Sequence, residues 1–157
     1  MRWEDLDREA CSVARTLSVI GDRWTLLILR DAFLGQRRFE GFEASLGITR
    51  HILADRLKKL TAAGVLQKRP YQEAPRREEY RLTEKGLDLY PVLMGLIAWG
   101  DKHMPDRKGP PVTHEHLGCG KKMRGVLVCS ECGEPLAARN IRANLRPDIA
   151  RQRKAHS

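Results

Sequence analysis

Apolar residues recur at helical spacing through the first hundred positions of this chain and lose that rhythm afterwards. Residues 10–20 place Val13, Leu17 and Ile20 on one side of a short helix that Gly21 ends. From Arg23 to Leu34, the positions Trp24, Leu27, Ile28, Asp31 and Leu34 predict an amphipathic helix stopped by Gly35. Phe39 to Leu46 predicts a third helix, stopped by Gly47. Thr49 then stands as the N-cap of a fourth helix running to Ala63, with Gly64 at its C-terminal end. Leu53, Leu57 and Leu60 share one face of that helix, while His51, Asp55 and Lys58 point the opposite way.

The period then changes. Val65–Tyr71 predicts a strand, and Glu78–Leu82 its partner, with Tyr80 and Leu82 alternating against Arg81. The hairpin tip between them carries Arg76 and Arg77. Thr83 caps a long helix reaching about Met104, which Pro91 should bend or break. Leu87, Leu89, Tyr90, Leu93, Leu96 and Trp99 spread too widely round that helix for one buried stripe. A second subunit is the expected cover, which makes the chain a homodimer. Gly109, Pro110 and Pro111 mark a linker. The expected organisation is a domain over 1–105, a linker over 106–113, a small unit over 114–147 and a flexible basic tail over 148–157.

This order of elements predicts a mainly helical fold with a small β-hairpin wing, a winged helix-turn-helix, followed by a small β-rich segment resembling a zinc ribbon. In a helix-turn-helix the second helix can enter the major groove of double-stranded DNA. Charge agrees with such a partner. The 157 residues carry a formal net charge of +9. Residues 36–81 hold 11 Lys and Arg against 6 Asp and Glu, and residues 106–157 hold 11 against 5. Arg50, His51, Asp55 and Lys58 are the candidates to face base edges from the Thr49–Ala63 helix. Arg38, Lys59, Arg76 and Arg77 are the candidates for phosphates. Arg56 has an acidic neighbour to pair with instead.

No apolar run approaches the ~20 residues of a membrane span, and the N-terminus lacks the regions of a signal peptide. The expectation is a cytoplasmic protein with reduced thiols and no membrane partner. No Gly-rich phosphate loop or paired nucleophile and base indicates an enzyme.

The second basic block contains His116-Leu-Gly-Cys119-Gly120 and Cys129-Ser-Glu-Cys132-Gly133, an H-x2-C-x9-C-x2-C pattern. Thiolates and a neutral imidazole suit tetrahedral zinc, and four protein ligands make a closed structural site. His114 is the alternative fourth ligand. A ribbon without metal, or a Cys129–Cys132 disulfide, is the competing account. A zinc deaminase signature is not met, because His114 adjoins Glu115 directly and Val128 precedes Cys129.

Several motifs occur together in a specific order: Cys11; Gly21-Asp-Arg-Trp-Thr-Leu-Leu-Ile-Leu29; Arg38-Phe39; Gly47-Ile-Thr with Leu53 and Arg56-Leu57-Lys-Lys-Leu60; Ala63-Gly-Val-Leu66; Glu79-Tyr-Arg-Leu-Thr-Glu-Lys-Gly86; and Trp99-Gly100. This set resembles the HxlR-type winged helix-turn-helix regulators, a branch close to the MarR family, over roughly Cys11 to Gly100. The resemblance implies a dimeric bacterial transcription regulator, often a repressor, with a cysteine near the N-terminus that senses oxidants or electrophiles. Two departures stand in this sequence: Ser12 follows Cys11 where the family usually has Pro, and Asp22-Arg23 stands where Lys usually precedes the Trp. Cys11 itself has two readings, an inert buried small hydrophobe or a reactive thiolate with Arg15 one helical turn away. A small-molecule effector is compatible with the resemblance and is not identified by any residue. A protein-interaction adaptor that dimerises through its winged helix without reading DNA is the alternative function.

Overall fold

The computed structural model describes residues 3–154; residues 1–2 and the last three positions of the expected tail, 155–157, lie outside the described residues. The chain divides into two units, Met1–Pro111 and Val112–Ser157.

The first unit opens with a short 3-10 helix, Trp3–Arg8, followed by α1 (Ser12–Ile20) and α2 (Arg23–Phe33). The Asp22 carboxylate caps α2 by accepting from the Trp24 and Thr25 amides at 3.0 and 3.2 Å, which satisfies two otherwise orphaned donors. Next come α3 (Phe39–Leu46) and α4 (Arg50–Ala62), joined through Gly47 at φ +59°. That left-handed angle lets the chain turn in three residues, and a side chain with a Cβ would be strained there. Thr49 occupies the N-cap position of α4, but its hydroxyl makes no capping hydrogen bond.

The core is built where these helices meet. Ile28 and Leu29 of α2, Phe42 of α3, and Leu53 and Leu57 of α4 are fully buried, with Leu60, Val65 and Leu66 nearly so. The leucine stripe of α4 is therefore the inward face, as its spacing required. In α1 and α2 the sequence pattern chose some residues wrongly. Val13 and Leu17 are exposed while Ala14 and Ile20 are buried, and Leu34 is exposed at the end of α2 while Leu29 faces inward. Short helices offer apolar residues on more than one side, and packing selects the face.

The wing follows as an antiparallel pair, β1 (Leu66–Glu73) and β2 (Arg76–Leu82). Both strands run further than alternation predicted. Arg76 and Arg77 accordingly lie within β2, opposite Glu73 and Gln72, and Ala74-Pro75 form the turn. A two-residue turn lets the ladder close earlier than a six-residue tip.

Beyond the wing, the long helix expected from Thr83 is broken in two, α5 (Glu84–Leu87) and α6 (Tyr90–His103), with Pro91 in the first turn of α6. Proline fits a first turn, where its missing N–H costs nothing. Thr83 fastens this break to the end of α4. Its hydroxyl accepts from the Gly86 amide at 3.1 Å and donates to the Gly64 carbonyl at 2.6 Å, and Lys85 Nζ donates to the Ala63 carbonyl at 2.8 Å. Gly86 is buried, and a Cβ there would collide with the Val65 carbonyl oxygen. Gly86→Ala should therefore lower stability by about 1–3 kcal/mol through overpacking, read as a fall of several degrees in the thermal midpoint. An unchanged midpoint would show that the α4–β1 turn yields freely.

The second unit has β3 (His114–His116) paired antiparallel with β4 (Lys121–Met123), and an isolated bridge between Val128 and Pro135. The expected tail contains a helix, α7 (Pro147–Lys154). Pro147 opens it, and Asp148 sits in its first turn, bonded by the Arg146 guanidinium through two 2.7 Å contacts. An acidic residue at a helix N-terminus complements the helix dipole.

Candidate nucleic-acid interface

The α3–turn–α4 unit presents α4 with its leucines inward and its charged flank outward. His51 and Lys58 are exposed and make no hydrogen bond or ion pair among the described residues. Arg50 is exposed but tethered. Its guanidinium bonds Glu43 Oε2 at 2.6 Å and lies 4.8 Å over the Phe39 ring. Asp55 accepts from Arg56 at 3.0 Å and from Lys59 Nζ at 2.9 Å. The Lys59 hydrogen bond, joined by the charges of Lys59, Arg56 and His51, holds the Asp55 carboxyl below its ordinary range. Asp55 is thus kept ionised and facing its own helix, and Lys59 is a paired cation.

Arg56 is the structural surprise of α4. It is partly buried and pairs both with Asp55 and, through Nε at 3.0 Å, with Asp22. Asp22 is also the cap of α2. One carboxylate therefore faces both the start of α2 and the middle of α4, although the buried Arg56 Nε makes an ion-pair contact with it and no hydrogen bond. The acidic neighbour of Arg56 was legible in the sequence; the cross-link to position 22 was not, because it spans two helices.

On the wing side, the Arg38 guanidinium lies 4.7 Å over the Tyr71 ring, which joins the start of α3 to β1. The Tyr80 amide donates to the Arg37 carbonyl at 2.8 Å, docking β2 on the same loop. Arg76 reaches Glu78 at 3.3 Å, whereas the Arg77 guanidinium has no partner among the described residues. Two further exposed guanidinia, Arg37 and Arg69, are likewise without one among the described residues. Sequence reasoning passed over both; their signal was position, Arg37 beside Arg38 and Arg69 two places from Tyr71. From α3 to the end of the wing, the cations without a partner among the described residues are therefore Lys58, Arg77, Arg37 and Arg69, with Arg38 and Arg50 half-engaged by aromatic rings and a carboxylate.

Cys11 is exposed at the N-cap position of α1, so it is not the buried small hydrophobe of one of its two readings. Arg15 does not serve it: that guanidinium donates to the Glu9 carbonyl at 2.7 Å and to Ser12 Oγ at 3.1 Å. Close by, an open cleft of about 320 Å³ is lined by Arg15, Lys85, Val19, Ile20, Val65 and Leu89, among others.

The C-terminal candidates form two pairs. His116 Nδ1 lies 3.4 Å from Cys119 Sγ. Cys129 accepts hydrogen bonds from the Cys132 and Glu131 amides and from the Cys132 thiol, which hold its thiol below its ordinary pKa. His114 lies in β3 opposite Met123. Among the described residues, no three metal-binding side chains are already gathered about one point, and no helix is long and apolar enough to cross a membrane.

Residues 19–108 match the HxlR-like helix-turn-helix family, a span that begins in α1 and ends past α6 and so includes the reading unit and the wing. Rv3095 of Mycobacterium tuberculosis, described as an uncharacterised HTH-type transcriptional regulator, is 46% identical over 133 residues, covering 85% of this chain and 84% of its own. The crystal structure of PA1607, described as a candidate transcription factor, superposes with a TM-score of 0.77 at 39% identity and covers 88% of this chain and 96% of its own. The redox regulator HypR in its reduced form gives a TM-score of 0.55 at 32% identity, over 59% of this chain and 92% of its own. A helix pair joined at a left-handed glycine, a charged α4 flank and an adjoining hairpin, all within the matched span, make this chain a member of the HxlR-like helix-turn-helix family of transcriptional regulators.

Proposed function

We propose that this chain is a homodimeric, sequence-specific reader of double-stranded DNA that acts as a repressor and responds to thiol chemistry at Cys11. The observation that carries the DNA-reading part is the outer face of α4. His51 and Lys58 stand exposed there without a hydrogen bond or ion pair among the described residues, His51 acting only through its electrostatic influence on Asp55, on a helix whose opposite face is locked into the core. Donors held by no hydrogen bond or ion pair cost less to redirect toward base edges, only their own ordering, whereas Asp55 and Lys59 must first surrender each other. In the dimer, two copies of α4 would enter successive major grooves about one helical turn apart, and the wings would hold phosphates.

The redox part rests on two facts. Cys11 is exposed at the start of α1, the helix whose outer face carries Val13 and Leu17. A change at the thiol therefore acts where a second copy would meet this one, and altered spacing between the two α4 helices changes affinity for a two-fold site. HypR, a structural neighbour, is described as a redox regulator with reduced and oxidised forms. The open, largely apolar cleft beside α1 gives a small effector a place to act on the same region. The assignment as a repressor rests on the resemblance alone.

Selection of bound fragments from random and genomic DNA, with reduced and with oxidised protein, tests this reading. An enriched two-fold motif whose recovery changes with thiol state is expected. Enrichment of no motif under either condition would remove the sequence-reading function. A salt series tests the wing. Arg77→Ala should flatten the slope of log affinity against log salt by about one unit per substituted chain, and an unchanged slope would take Arg77 off the phosphate contacts.

A further inference from the structure

Over residues 112–151 the second unit has secondary structure without a core. No residue from Val112 to Arg151 is buried. Its apolar side chains stand in solvent, including Leu117 at 93% exposure and Leu127 at 73%. Its pairing amounts to two three-residue strands and a single bridge. Burial of apolar surface, the usual source of stability, is missing, and units of this size need a cross-link to compensate.

The backbone is nonetheless shaped in a specific way at two places. In the first, the His116 carbonyl accepts from the Cys119 and Gly120 amides at 3.1 and 2.8 Å. In the second, the Cys129 carbonyl accepts from the Gly133 amide at 2.9 Å. Each turn is closed by a glycine in the left-handed region, Gly120 at φ +65° and Gly133 at φ +73°. In the second turn the Glu131 and Cys132 amides donate to the Cys129 sulfur, the arrangement that supports a metal-bound thiolate. In the first, the His116 ring lies over Gly118, where a Cβ would stand 2.9 Å from its Cε1 atom. That bare position lets His116 Nδ1 approach Cys119 Sγ to 3.4 Å. Two ligands on one tetrahedral zinc, with ordinary Zn–S and Zn–N lengths, stand about 3.6 Å apart.

We propose that this unit binds one zinc ion through His116 Nδ1 and the sulfurs of Cys119, Cys129 and Cys132. Each knuckle supplies one pair of ligands. Because no three candidates are yet gathered among the described residues, the ion itself draws the two turns together, and metal binding and the packing of this unit are one event. Four protein ligands leave no open position, so the site is structural. The contact with Cys119 selects His116 over His114. The 133-residue match to Rv3095 is too long to fit within the first unit, so that relative shares part of this one. The proposal stands apart from DNA reading and does not depend on it.

The test uses full-length, tag-free protein purified under reducing conditions without chelator. Elemental analysis should find about one zinc per chain. Reconstitution with cobalt(II) should give the intense visible bands of a tetrahedral thiolate site. Cys119→Ser and Cys132→Ser should each lose the metal, while Cys11→Ser and His114→Ala retain it. Should a cysteine variant fail to fold, the cobalt spectrum of the unaltered protein still decides. The proposal is overturned by metal-free fresh protein with no tetrahedral cobalt spectrum, by zinc that survives Cys129→Ser/Cys132→Ser, or by a Cys129–Cys132 disulfide in anaerobically prepared protein. Metal lost from His114→Ala but kept by His116→Ala would overturn the choice of imidazole.

Discussion

Leu96→Glu/Trp99→Glu should convert the protein to single chains and weaken its binding to a two-fold DNA site by about a hundredfold or more. The argument starts from the two faces of α6. Leu93 is buried, and Ile97 and Gly100 lie half-buried on the same side. Val92, Leu96 and Trp99 form a second apolar stripe, at 43, 50 and 60% exposure. Tyr90 and Leu87 extend the exposed apolar surface, and α1 adds Val13 and Leu17. Such area on one small unit is the ground for expecting the second copy there. Opposed glutamates there would have to be buried unpaired, which costs far more than the contact returns. The substituted side chains contribute little to the unit's own core, so helical content should be retained. Light scattering on an eluting peak gives the mass, and fluorescence anisotropy gives the affinity. A double variant that keeps the mass of a dimer would refute the placement of the second copy on this stripe.

The second large effect should come from α4. His51→Ala/Lys58→Ala should lose discrimination between the selected site and random DNA, at about 1–3 kcal/mol per base contact removed and twice over in a two-fold complex. Affinity for random DNA should fall less, because phosphates supply most of non-specific binding. Asp55→Asn is the informative companion. Its carboxylate is occupied by Lys59 and Arg56, so its replacement should leave base preference intact. Arg50 lies between these cases: it can reach a base only by leaving Glu43 and the Phe39 ring. Competition binding against substituted sites separates the three. Equal loss of discrimination and of non-specific affinity in the double variant would make His51 and Lys58 phosphate contacts instead.

The inward face of α1 was legible only in part. Spacing put Val13, Leu17 and Ile20 on one side, yet α1 turns Ala14 and Ile20 inward and leaves Val13, Leu17 and Cys11 in solvent. Pro91 was legible as a break, and the fastening of that break was not. The Thr83 hydroxyl and the bare Gly86 reach back to Gly64 and Val65, partners about twenty residues away in sequence.

The features that the residues determined by themselves are those whose physics is local. Helical spacing placed Leu53, Leu57 and Leu60 inside; a glycine able to take positive φ closed the turn at Gly47; alternation set Tyr80 and Leu82 against Arg81 in the wing. Each depends on a few neighbours along the chain. Tertiary structure alone decided which charged groups remain free. Asp22 holds Arg56, Glu43 holds Arg50 and Tyr71 lies under Arg38, while His51, Lys58 and Arg77 have no such partner among the described residues. These pairings join side chains from different elements, and no periodicity along one element can disclose them, because a charge is bound or free according to what the fold carries to within a few ångströms of it.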